Sequence, residues 1–177
     1  MQVSYQAEAC SFCQELVRLP SLSGEEGPVA DAVMREMRML SYDQATRDAL
    51  GSVIGLVQGA QPGRALLIDA HMDVVPGTSP EAWRHPPFAG ERAEGRIWGR
   101  GATDVKGSLA AAVVAVGSLQ RDELAGRVIV SASVGEEMSE GAALSRILQE
   151  HPADRVIICE PTNLRLANSM PILGLTI

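Results

Sequence analysis

One histidine and five carboxylates stand at or just beyond the ends of short apolar runs. His71 and Asp73 follow the run 65–70, and Asp104 closes a glycine-rich turn that begins at Gly99. Glu136 and Glu137 follow the run 127–134, and Glu160 follows the run 155–159. Carboxylates pushed together repel one another and are costly to desolvate, and a dication is the usual remedy. Imidazole with carboxylates, and no thiolate among them, suits zinc and could also hold cobalt or manganese. A carboxylate such as Asp104, if it bridges, suits two metals about 3.5–4 Å apart that polarise a carbonyl and acidify a water. Each residue alone has an ordinary reading. A single histidine near a strand end is more often structural, and a Glu-Glu pair is more often a solvated turn. The joint case is stronger, because all of them fall at the same kind of topological position.

Elements of matching period must bring these residues together. Residues 5–19 read as a helix with Phe12, Leu16 and Leu19 on one face, ended by Pro20. Pro28 opens a second helix with Val29, Val33, Met37 and Leu40 as its stripe. Short strands are predicted over 42–46 and 52–58, a buried strand over 65–70, and a brief one over 96–99. The segment 76–95 reads as a long loop, of the kind that is usually functional or disordered. A small-residue helix over 106–119, a strand over 127–134, a helix over 141–149 and a strand over 155–159 follow. That alternation implies a parallel or mixed α/β sheet with right-handed crossovers. Ligands bind such sheets outside the carboxyl ends of the strands, where all six residues are expected to converge.

The 177 residues suffice for one domain, and 46% hydrophobic content with 3% aromatics predicts an aliphatic core. The net charge of −7, with no run of Lys or Arg, argues against a nucleic-acid surface. The longest apolar stretch, 109–116, is too short to span a membrane. Cys10 and Cys13 form a C-x-x-C, but neither a strand-to-helix turn nor a second pair accompanies it. Two small side chains on a helix is the favoured reading. With Cys159 the count is odd, and no hydrophobic leader precedes, so a reducing cytoplasm is expected.

The same residues lie in strings that carry a resemblance. "LLIDAHMDVVP", "GRIWGRGATDVKGSLAA", "SVGEEMSEGA" and "IICEPTN", with "SLSGEEGPVA" nearer the N-terminus, resemble in order and spacing the acetylornithine deacetylase / succinyl-diaminopimelate desuccinylase / carboxypeptidase G family of di-zinc hydrolases. The resemblance covers about residues 10–166. It implies a zinc-exopeptidase-like catalytic domain, a mixed, mostly parallel sheet with helices on both faces. It also implies hydrolysis of an amide bond in an N-acyl amino acid or peptide, a small-molecule substrate. By matching position, His71, Asp104 and Glu160 would bind the first Zn2+, and Asp104 and Glu137 the second, with Co2+ or Mn2+ possible. Glu136 would be the general base, Asp73 would orient the His71 imidazole, and the 104–105 peptide bond would be cis.

The resemblance also sets expectations for organisation. Residues 1–166 match the N-terminal portion of the catalytic domain, and 167–177 form a divergent tail where a lid, often the dimer interface, would begin. The lid and the C-terminal catalytic segment, with a last histidine for the second metal, are expected to be absent from these 177 residues. His85 and His151 match neither histidine role. The alternative to a working hydrolase is thus an impaired fragment that binds one metal ion without turnover.

Overall fold

The computed structural model describes residues 5–162 apart from 78 and 140; the expected tail 167–177 lies outside them. Five strands form the main sheet, in the order β1 (Gln44–Arg47), β2 (Val53–Gln58), β6 (Ala125–Ser133), β3 (Gln61–His71), β7 (Arg155–Ile158). β3 runs parallel to both β6 and β7, β2 is antiparallel to β6, and β1 is antiparallel to β2. Every strand but β2 therefore points the same way, giving the mixed, mostly parallel sheet expected from the sequence. The register pairs His71 with Ser133 and Asp69 with Ile158, so β3, β6 and β7 end at one rim.

Helices cover both faces. On one side α1 (Tyr5–Arg18), α2 (Gly27–Met39) and α3 (Gly107–Gly117) bury Leu16, Val33, Leu109 and Val113 against Val53, Val130 and Ala132. On the other, α5 (Ala142–Glu150) brings Leu144 and Ile147 onto Leu67 and Ile129. Alternation along β6 explains the division, since successive strand residues face opposite ways. Val128, Val130 and Ala132 enter the first core, and Ile129 the second. α3 owes its helix to an alanine- and valine-rich run whose small side chains let it lie close to α1 and the sheet.

Three local features depart from the reading of the sequence. β3 begins at Gln61 rather than at residue 65, with a register shift between Gln61 and Ala65. The expected loop 76–95 holds a 3₁₀ turn at Pro80–Ala82 and the strand β4 (Glu91–Ala93), which pairs with β5 (Arg96–Trp98) as a separate hairpin. The Glu136–Glu137 segment, to which no element was assigned, opens a short helix, α4 (Glu136–Ser139). Among the described residues no helix is long and apolar enough to cross a membrane.

Candidate metal centre

His71 is the last residue of β3 and is 3% exposed. Its Nδ1 lies 2.9 Å from the backbone oxygen of Asp73 and 3.4 Å from Asp73 Oδ1. Both are acceptors, so Nδ1 carries the proton and donates it. Nε2 is then left with its lone pair, 3.2 Å from Asp104 Oδ1 and 3.8 Å from Glu136 Oε2. A lone pair facing two carboxylates demands a proton or a cation between them. Burial works against charge on the imidazole, but the adjoining Asp73 outweighs it and holds the His71 pKa up at about 9.

Asp73 is fully buried and organises its surroundings. Its carboxylate accepts from Ser23 Oγ at 2.7 Å and from the backbone N–H groups of Glu136 and Glu137 at 3.1 Å each. Burial alone would raise its pKa; the bonds from His71, Ser23 and the two amides overcome that and bring it down to about 2. One side chain thereby fixes both the imidazole and the first turn of α4, where an anion is favoured.

Asp104 sits in the π-turn Ala102–Lys106, and its peptide bond to Val105 is cis, as the resemblance implied. Gly101, at φ +78, opens that turn, and a Cβ there would come within 2.5 Å of Val74 Cγ1. Lys106, entirely buried, closes it by donating from Nζ to the carbonyls of Leu16 (3.1 Å) and Leu19 (2.8 Å) at the end of α1. Desolvation lowers its pKa to about 8, and the nearby Cys13 partly opposes the shift.

His71, Asp104 and Glu137 each offer a ligand atom, and these atoms lie within 4.8 Å of one another. Glu160, exposed just past β7, stands outside that trio, but it lines one cleft of about 280 Å³ together with His71 and Glu136. The carboxyls of Glu136, Glu137 and Glu160 are all pushed up in pKa, first by burial and then by the neighbouring carboxylates, with His71 opposing. The donor set thus fits a metal: it presents one imidazole lone pair and several carboxylates whose mutual repulsion a dication would relieve.

His85 is elsewhere, stacked on Trp98 with ring centroids 4.7 Å apart and with Nδ1 2.8 Å from Glu91. Cys10, Cys13 and Cys159 are unbridged; Cys10 and Cys13 lie on α1, and burial pushes the Cys13 thiol up to about 11. Four polar residues of the site were not singled out from sequence: Ser23, Glu26, Asp69 and Lys106. Asp69 left a signal, since it is an acid inside an apolar strand. It is buried against the Ser131 hydroxyl and against Ser133 Oγ at 3.1 Å, and burial raises its pKa to about 6. Ser23 and Glu26 lie in the glycine-bearing string that carried part of the resemblance.

Comparison with known proteins decides the family. The model of peptidase family M20/M25/M40 matches residues 67–172, more than half of the chain. The chain belongs to that family. Succinyl-diaminopimelate desuccinylase of Paracoccus denitrificans is 40% identical over 112 residues, 59% of this chain and 29% of its own length. Among solved structures, the M20 metallo-carboxypeptidase Sso-CP2 of Sulfolobus solfataricus superposes with a TM-score of 0.73 at 26% identity, over 85% of this chain and 37% of its own. The YXEP protein of Bacillus subtilis, described as a dinuclear metal-binding M20 peptidase, matches the fold at 18% identity with a TM-score of 0.67, over 87% of this chain and 42% of its own. The M20 chain spans 29–44% of the length of the curated desuccinylases it resembles.

Proposed function

We propose that this chain carries the metal-holding part of an amide hydrolase acting on N-acyl amino acids or small peptides. The carrying observation is the approach of His71 Nε2 to 3.2 Å from Asp104 Oδ1, with a Glu137 ligand atom within 4.8 Å of both. In this reading His71, Asp104 and Glu160 hold one Zn2+, and Asp104 and Glu137 hold a second; Co2+ or Mn2+ would serve the same donors. When bound, the ions supply a polarised amide carbonyl and a more acidic attacking water. Glu136 takes a proton from that water and returns it to the leaving amine. Its raised pKa, from burial and from neighbouring carboxylates, brings it nearer to neutral and suits both halves of the transfer. Asp73 holds the imidazole in the tautomer that frees Nε2 and anchors the amides of Glu136 and Glu137. The desuccinylase and carboxypeptidase named above support the substrate class. Free cysteines support a cytoplasmic setting.

A second reading, one bound ion without turnover, is favoured by a separate observation. Among the described residues a single group of three donors comes together, and Glu160 is outside it. Calorimetric titration of the metal-free chain with Zn2+, followed by an assay on N-succinyl and N-acetyl amino acids, separates the two. Two ions with turnover support the hydrolase, one ion without turnover supports the second reading, and no binding defeats both.

A further inference from the structure

The segment between α1 and α2 touches each of the loops that bear His71 and the paired glutamates. Ser21 is fully buried; its Oγ donates to the Met72 carbonyl at 2.8 Å, and its own carbonyl accepts from Val74 N–H at 2.9 Å. Ser23 Oγ donates to Asp73 at 2.7 Å. Glu26, 5% exposed, accepts the N–H of Gly135 at 3.0 Å across 109 residues of sequence. Gly135 is the pivot from which α4 departs, at φ +65. Its carbonyl accepts from Ser139 N–H at 3.0 Å and from Ser139 Oγ at 2.7 Å. The carbonyl of this glycine thus belongs to α4, and Glu26 holds its N–H.

We propose that Glu26 is a positioning residue for the Glu136–Glu137 pair, acting through the Gly135 N–H. The proposal rests on the reading of Glu137 as a metal ligand. Asp73 fixes the amides of Glu136 and Glu137, and the first of these shares its peptide unit with the Gly135 carbonyl; Asp73 does not reach the Gly135 N–H, on the far side of a glycine φ that is free to turn. A carboxylate on that N–H makes a charge-assisted bond, which is short and directional. It sets the start of α4 and so the distance of Glu137 from His71 and Asp104. Glutamine offers a neutral acceptor at the same reach, whereas alanine offers none.

The test is Zn2+ affinity by calorimetry and the visible absorption of the Co2+-loaded chain, for the wild type, Glu26→Ala, Glu26→Gln and Val33→Ala. Val33 is a fully buried core residue of α2 and serves as a control of general destabilisation. Glu26→Ala is expected to weaken binding about tenfold or more and to alter the Co2+ bands. Glu26→Gln is expected to stay within about threefold of wild type, and Val33→Ala to lower the melting temperature with affinity and bands unchanged. Should Glu26→Ala not fold, Glu26→Asp, one methylene too short to reach, takes its place. Wild-type binding in Glu26→Ala, or equal losses in Val33→Ala, would overturn the proposal and leave the reading of Glu137 intact. A wild-type chain that binds neither ion would overturn that reading and this proposal with it.

Discussion

At the scale of single residues the centre is governed by where protons sit. Metal binding must displace whatever proton His71 holds, and its pKa near 9 makes that displacement harder as pH falls. Zn2+ affinity is therefore expected to rise about tenfold per pH unit from pH 6 toward 9 and then level off; titrations at several pH values would show the slope. For the metal-free fold the sign differs. The raised His71 pKa contributes stability that is full below about 6.5 and is lost as pH rises through 9. The lowered Asp73 pKa contributes stability that is present above about 3.8 and is lost as pH falls through 2. Urea unfolding of metal-free wild type against Asp73→Asn should thus differ most between about pH 4 and 6.5. Glu136→Gln should lower hydrolysis of an N-acyl amino acid by about 10²–10⁴-fold, with Zn2+ affinity held within threefold. An active Glu136→Gln would remove that residue from the proton transfer.

At the scale of elements, the turn bearing Asp104 is the tightest part of the site. Gly101→Ala must accommodate a Cβ against Val74 at a positive φ. It is expected to cost about 1–3 kcal/mol in chemical denaturation and to weaken Zn2+ binding in parallel, because the turn would have to shift. The elements themselves were largely legible in the sequence. Period 3.6 marked α1 and α2, and short β-branched runs marked β2, β6 and β7. The boundaries of β3 were not, since Gln61, Pro62, Gly63 and Arg64 are polar or turn-forming, and only pairing with β6 draws Gln61 into the strand. The strand read over 96–99 is β5, but β4 and its pairing with β5 were hidden for a similar reason: a three-residue strand carries too few positions to show alternation. Lys106 was invisible because its burial depends on the carbonyls of a helix 87 to 90 residues away.

At the scale of the whole molecule, strand direction carries His71, Asp73, Glu136, Glu137 and Glu160 to one rim, and the turn Ala102–Lys106 brings Asp104 beside His71 there. What sequence could not supply was distance. The ligand atoms of His71, Asp104 and Glu137 lie within 4.8 Å of one another, and Glu160, which the resemblance grouped with His71, lines the same cleft as His71. Since those three donors come from three separate stretches of chain, an ion that binds them stabilises only the folded state. Zn2+ at a hundred times its dissociation constant is expected to add about 2.7 kcal/mol, read as a rise in melting temperature that EDTA reverses. An unchanged melting temperature would show that the donors do not act together. The shared strand direction also leaves the molecule a far end. There α3 gives way to β6 through a turn at 121–123, with Asp122 and Glu123 exposed. A fluorophore or an affinity handle spliced in at that turn would sit a full strand length from every donor, which makes it the natural place to tether or label this protein without touching its chemistry.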